Sequence, residues 1–251
     1  MKIWSFAKRG FMGFWYPYVR LLNTLWPSIT IEGKRLAISP DVYKPLENEY
    51  ACADYCRPGD RVLDLGSGSG VCTVFTAPKA REVLAVDISP AAVRNTRENC
   101  DRLGLTNVVC RESDMFSTVD GQFDLIVANP PYINVEFEKE EEQFATSVRF
   151  MPTMFAQAGD HLTPDGRLLV QFPIWFRGRV EKLGAEHGFE LLEVKRTPNK
   201  SLGLFLLSLA YTQVGFRSAF YLFRAKAAAK AAPSPRKRPA GASRARASSA
   251  A

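Results

Sequence analysis

The sequence predicts an α/β fold, with a mostly parallel sheet and helices on both faces. Three observations carry that expectation. Strand-length apolar runs alternate with helix-period segments across residues 61–196. RVLDL (61–65) and EVLAVD (82–87) are apolar enough to read as strands covered on both sides. The length, 251 residues with 46% apolar and 24% charged side chains, suits one domain of this class and excludes a disordered or collagen-like chain.

The elements follow in order. ITIEG and KRLAIS read as a strand pair turning at Gly33. A helix is expected through LENEYACADYC (46–56), ending at the breaker cluster Arg57, Pro58 and Gly59. After the strands at 61–65 and 82–87, residues 90–104 form an amphipathic helix with Pro90 in its first turn. NVVCRES, FDLIVANP and GRLLVQFP are further strands. VEKLGAEHG is a helix, FELLEVKR a strand, and AFYLFRA the last strand.

Three segments stand apart. Residues 1–30 carry eight aromatics with Lys2, Lys8, Arg9 and Arg20 and no acid. Three readings suit them: a helix laying its aromatics on the domain or over its pocket, a membrane-interface segment, or an RNA-stacking surface. Residues 201–216, within an insert at about 198–217, are uncharged. They read either as a buried helix or strand pair, or as a flap facing lipid or a lipophilic pocket. Residues 225–251 are nearly all Ala, Pro, Ser, Lys, Arg and Gly, and lack large apolar side chains, so a disordered basic tail is expected. The predicted organisation is an aromatic and basic segment at 1–30, a domain at 31–224 and the tail at 225–251.

The net charge of +7 does not by itself indicate nucleic acid. The tail holds seven of the positive charges and the first 30 residues four, so residues 31–224 are net −4. Five scattered cysteines without a Cys-x-x-Cys pair, and only two histidines, give no metal-ligand spacing. No metal is expected, and the cysteine usage suits a reducing cytoplasm.

Four sites carry chemistry. VLDLGSGSG (62–70) runs a strand into Asp64 and then into glycines 66, 68 and 70, where a ligand can approach the backbone. The Gly-x-Gly-x-Gly spacing differs from the dinucleotide fingerprint. Asp87, ending the next strand, is placed to accept both hydroxyls of a ribose. Asp114 could accept from an adenine amino group, with Met115 or Phe116 against the ring. Asn129, Pro130, Pro131 and Tyr132 follow FDLIVA directly. The Asn129 amide oxygen and Pro130 carbonyl can accept both protons of one planar NH2 group, and Tyr132 can stack on it. Binding both protons orients the nitrogen lone pair, which is otherwise delocalised, for an in-line displacement.

VLDLGSGSG, VDIS, SDMF and NPPY, in this order, resemble class I S-adenosylmethionine-dependent methyltransferases that methylate nitrogen. ISPDVYKPLENEY upstream, with Pro45 and Glu47, is similar to a segment of HemK-type release-factor glutamine methyltransferases. The resemblance implies a Rossmann-like, seven-stranded, mostly parallel sheet and S-adenosylmethionine as cofactor. It implies cofactor binding by Asp64, Gly66, Ser67, Gly68, Gly70, Asp87, Ile88, Asp114, Met115 and Asn129. It further implies substrate-amide binding by Asn129, Pro130 and Tyr132. The expected reaction is N-methylation of a glutamine side chain in a protein such as a release factor. Base methylation of RNA or DNA at adenine N6 or guanine N2, methylation of a lipophilic small molecule, and a catalytically silent module are the alternatives. The acidic run VEFEKEEEQF favours a protein over a phosphate backbone. Peripheral membrane contact through 1–30 and 201–216 is a further expectation.

Overall fold

The computed structural model describes residues 2–131, 149–197, 202–211 and 217–226, with side chains from residue 13 onward. Its centre is β3 (Arg61–Leu65), flanked on one side by β4 (Glu82–Asp87) and β5 (Val108–Glu112). On the other side lie β6 (Phe123–Ala128), β7 (Leu162–Pro173), β9 (Ser218–Ala225) and β8 (Phe189–Arg196), in that spatial order. The pairs β5–β4, β4–β3, β3–β6 and β6–β7 are parallel, and β9 runs antiparallel to both its neighbours. This is the expected seven-stranded sheet. A separate hairpin, β1 (Ser28–Ile31) and β2 (Lys34–Ala37), turns at Gly33 with φ 75°.

Alternate residues of each strand enter two cores. Val62, Val83, Leu125, Val127, Leu169 and Phe220 face one core, which also buries Trp15, Val19 and Leu22 of α1 (Lys2–Leu25) and Val71 and Val74 of α2 (Val71–Thr76). Leu63, Leu65, Ile126, Leu168, Val170 and Tyr221 face the other, closed by Met154 and Phe155 of α4 (Phe150–Ala158) and Val180 of α5 (Arg177–Glu186). Ordinary helix and strand periods thus cover both faces of the sheet, which is why the central strands are apolar at successive positions. Between β4 and β5, α3 (Pro90–Arg102) begins with Ser89 as its cap, the hydroxyl accepting from Ala92 N at 3.4 Å, and with Pro90 in the first turn.

The structure corrects one expectation, narrows a second and adds a helix that was not expected. The helix at 46–56 shrinks to a 3₁₀ turn over Glu49–Asp54, because Asn48 takes a left-handed conformation, φ 58° and ψ 33°, which stops an α-helix from starting upstream. The 201–216 segment contains α6 (Leu202–Ala210), but this helix is not buried: Ser208 is its one buried residue, with Tyr211 fully buried just beyond. The helix α4 has no counterpart in the sequence reading. Met151, Met154, Phe155 and Ala158 have helical spacing, with Pro152 in the first turn, and were the available signal. The first 30 residues supply α1, whose carboxyl half lays one face on the domain. Tyr132, the acidic run after it and the tail from residue 227 lie outside the described residues.

Candidate functional site

The site lies at the carboxyl ends of β3, β4 and β6, where open α/β sheets bind ligands. Leu65 of β3 pairs in register with Val86 of β4 and Ala128 of β6, so Gly66, Asp87 and Asn129 leave the sheet side by side. Ala128 pairs in turn with Val170, which sets Asn129 beside Gln171 of β7. Four segments remote in sequence therefore converge because the strands are parallel and in this register.

The glycine loop is anchored at both ends. Gly66 N and Ser67 N donate to Val86 O at 2.8 and 2.9 Å, and Gly68 N donates to Asp87 Oδ2 at 2.9 Å. Glycine is required at 70, where φ is 80° and an added Cβ would stand 3.0 Å from the Thr96 backbone. At Gly68, φ is 54° and the space beyond its Cα is open, so a ligand can approach that backbone. Thr96 Oγ1 lies 3.2 Å from both Ser67 Oγ and Gly68 O. Phe150 of α4 sets its ring over the loop, 3.2 Å from where a Gly66 Cβ would be.

Asp64 is 2% exposed and accepts on Oδ2 from Thr73 N at 2.9 Å and Thr73 Oγ1 at 2.6 Å. Burial pushes its carboxyl up to about 6, against those two hydrogen bonds, with the nearby Asp87 adding to the rise. Among the described residues no cation pairs with it. Asp87 is half-buried, and desolvation also raises its carboxyl above the usual range, opposed by the amides of Ser89, Gly68 and Ile88. Ser89 N donates to Oδ1 and Gly68 N to Oδ2, both at 2.9 Å. The two carboxylate oxygens offer about four lone-pair sites, so a ligand hydroxyl can still be accepted beside these amides.

Asp114 is half-exposed and takes a two-point contact from Arg149, whose Nη2 lies 3.1 and 3.0 Å from its two oxygens. Met115 sits at φ 52°, an uncommon conformation for a non-glycine residue, with Ser113 Oγ donating to its carbonyl at 2.9 Å. Of the two rings or side chains considered for a flat ligand, Phe116 is committed elsewhere: it is buried and stacked on His161 at 4.7 Å. Met115 is the half-buried one of the two. Asn129 is half-buried and Pro130 buried, while Tyr132 falls outside the described residues.

A supporting layer had no signature in the sequence. Asn95 and Asn99, one turn apart on α3, donate to Ser69 O at 3.3 and 2.9 Å and accept from Ser39 N and Ala37 N at 2.6 and 2.7 Å. They lock the glycine loop to the β1–β2 hairpin. Beside Asn129, buried Gln171 donates to Glu47 O at 3.2 Å, and Ser218 Oγ donates to the Glu47 carboxylate. The Glu49 carboxylate in turn accepts from Glu47 N at 2.8 Å. Of this shelf the sequence points only to Glu47, through the resemblance.

Known proteins are similar to this chain in sequence or in fold. The family model described as "Methyltransferase small domain" matches residues 53–172. The release factor glutamine methyltransferase of Bordetella pertussis is 32% identical over 212 residues, 78% of this chain and 67% of that protein. A putative protein N5-glutamine methyltransferase of Methanocaldococcus jannaschii is 34% identical over 119 residues, 46% of this chain and 60% of that protein. The ribosomal protein L11 methylase of Lactobacillus delbrueckii subsp. bulgaricus shares the fold: TM-score 0.53, 22% identity, covering 71% of this chain and 77% of that one.

S-adenosylmethionine is the general methyl donor of such folds, and the donor set suits it. Two buried or half-buried carboxylates flank an open glycine backbone, and one of them, Asp64, lacks a cation that a sulfonium or ammonium group would supply. The parallel core, the glycine loop between paired carboxylates and a relative matched over two thirds of its length agree, and the chain belongs to the HemK-type release factor glutamine methyltransferase family.

Proposed function

We propose that this chain transfers a methyl group from S-adenosylmethionine to the side-chain amide nitrogen of a glutamine in a protein, a peptide release factor. The observation that carries the reading is the strand register: Leu65 pairs with Ala128, so Asn129 and Pro130 emerge beside the glycine loop and Asp64. An amide-recognising pair thereby adjoins the cofactor-binding elements, as a transfer between the two requires.

In this reading the loop residues Gly66, Ser67, Gly68 and Gly70, with Asp64, hold the amino-acid end of the cofactor. Asp87 accepts the ribose hydroxyls, Ile88 and Met115 flank the adenine, and Asp114 accepts from its amino group. Held there, the cofactor would supply an electrophilic methyl group on sulfur, with the neutral thioether as its by-product. Asn129 Oδ1 and the Pro130 carbonyl accept the two N–H groups of the acceptor amide. Orienting both protons turns the nitrogen lone pair toward the methyl carbon and favours the positive charge that develops there. The amide nitrogen would gain the methyl group at the expense of the methyl–sulfur bond and give up one proton to solvent.

The test is transfer of labelled methyl from S-adenosylmethionine to a purified release factor, with Asn129→Ala as the blank. Label on one glutamine, located by mass spectrometry and absent with the variant, is the expected result. Label in RNA or in an organic-soluble fraction of a lysate, with the release factor unlabelled, would overturn the acceptor. Asp87→Ala is expected to weaken cofactor binding in a direct titration; unchanged affinity would remove the ribose contact.

A further inference from the structure

Twelve large hydrophobic side chains are exposed among the described residues, and eight of them belong to α1, to Trp26 just after it, or to α6. Isolated exposed apolar residues are normal in any protein, but their concentration on two helices is not. Phe14, Leu21 and Leu25 recur at helical spacing down one side of α1. This stripe is separate from the buried one formed by Trp15, Val19 and Leu22. On α6, Leu202, Phe205, Leu206 and Leu209 have the i, i+3, i+4, i+7 spacing of a single face, and all four are exposed.

The two stripes adjoin. Trp15 Nε1 donates to Tyr211 O at 3.3 Å, and the Tyr18 hydroxyl donates to Ala210 O at 2.8 Å. The carboxyl end of α6 is therefore bonded to the middle of α1. Tyr211 secures the junction from inside, donating its hydroxyl to Asn23 Oδ1 at 2.9 Å, while the Lys44 ammonium lies 5.0 Å from its ring. The junction is built to hold the two helices together, yet it leaves an apolar side of each outward.

Charge identifies the occupant. Residues 1–31 contain Lys2, Lys8, Arg9 and Arg20 and no acid, the first carboxylate being Glu32. Residues 201–216 carry no charge, and the tail beyond 225 adds seven basic residues without an acid. A second copy would bring two such acid-free basic segments together, whereas an anionic lipid surface complements their charge. Leucines and phenylalanines flanked by Trp26 and by Arg20, exposed although paired with Asp41 at 3.0 Å, are the composition of a helix lying at headgroup depth. No described helix is long and apolar enough to cross a bilayer. We propose that the joined outer faces of α1 and α6 dock on an anionic lipid bilayer, with both helices lying in its interface.

The test is sedimentation of the full chain with vesicles of phosphatidylcholine, with and without phosphatidylglycerol. The expected result is binding to the mixed vesicles that is reduced but retained in high salt, since apolar insertion is not screened. The double variant Phe205→Glu, Leu206→Glu is expected to lower partitioning at least about tenfold, because two buried apolar side chains are lost. Leu21→Glu on α1 carries the same prediction independently, and circular dichroism checks that each variant folds. A protein that stays in the supernatant, binding abolished by salt, or variants that bind like the parent would overturn the proposal. So would a dimer on gel filtration that the variants dissociate without any vesicle binding.

Discussion

Asp60 and Asp64 lie at opposite ends of β3 and are buried to similar extents, 8% and 2% exposed. At the amino end, Asp60 is paired with the buried Arg167 of β7, whose guanidinium also donates to Tyr55 O at 2.6 Å. Asp60 accepts from Arg57 N as well, at 2.8 Å. At the carboxyl end, Asp64 has only the neutral donors of Thr73, and its carboxyl is pushed up to about 6. One end of the strand compensates its buried charge and the other does not. A charge left without its counter-ion destabilises the fold and is best explained by a ligand that brings the missing cation. The comparison separates a structural carboxylate from a binding one without reference to any relative.

The largest effect is expected at the compensated end. Asp60→Ala leaves Arg167, 5% exposed, as a buried cation without its partner, a change that costs about 3–5 kcal/mol in comparable pairs. The urea midpoint should fall steeply with an unchanged slope. A loss below about 1 kcal/mol would mean that water replaces the carboxylate and that the two ends do not differ as argued.

Asp64 should behave oppositely. Its carboxyl is raised in the folded state from 3.8 to about 6, so the folded state holds the proton more tightly. The associated stability is fully present below pH 3.8 and is lost as pH rises through about 6. Asp64→Asn, whose amide oxygen still accepts from Thr73, removes that slope. Relative to the variant, the parent should lose stability between pH 4 and pH 7, by no more than roughly 3 kcal/mol. Cofactor affinity of the parent should rise over the same interval as the carboxylate ionises, and that of the variant should stay flat. A parent and variant with parallel stability curves would remove Asp64 from the comparison.

The same contrast explains what the sequence disclosed. Asp64, the glycines, Asp87 and Asn129 were legible because each lies at or just past the carboxyl end of an apolar strand, and parallel strands bring those ends to one edge. The compensating groups were not. Arg167 is 107 positions from Asp60, Ser218 is 171 from Glu47, and Asn99 is 62 from Ala37. Nothing local to either partner marks such a pairing, which exists only once the register is set. The helix expected over 46–56 failed for a related reason: the buried contacts of Glu47 and Glu49 hold Asn48 at φ 58°, overriding the propensity of the run. The exposed faces of α1 and α6 could be suspected from composition, but their adjacency depends on contacts across nearly 200 residues.

The amide-binding end of β6 tests whether the rim acts on the acceptor separately from the cofactor. Asn129→Ala should cut turnover by at least about 100-fold, or about 2.7 kcal/mol on the barrier, while cofactor affinity stays nearly unchanged. Single-turnover rates and a cofactor titration on the same preparation make the distinction. Unimpaired turnover would remove Asn129 from the amide site, and a matching loss of cofactor affinity would place it on the cofactor side instead.

The smallest effect is expected where a compensated and a binding carboxylate coincide. Asp114 is paired like Asp60, yet its pair is about half-exposed, 56% for Arg149 and 48% for the aspartate. An exposed pair contributes under about 1 kcal/mol, so Arg149→Ala should barely move the urea midpoint. Its pairing therefore does not oblige Asp114 to be structural, and a double-mutant cycle decides its role. If Asp114 accepts from the adenine amino group, Asp114→Ala weakens cofactor binding by about 1–1.5 kcal/mol whether or not Arg149 is present. If its function is to hold Arg149, the loss disappears in the Arg149→Ala background. The first outcome makes pairing a poor guide to role at exposed positions and confines the contrast drawn along β3 to buried ones, where solvent cannot stand in for the missing charge.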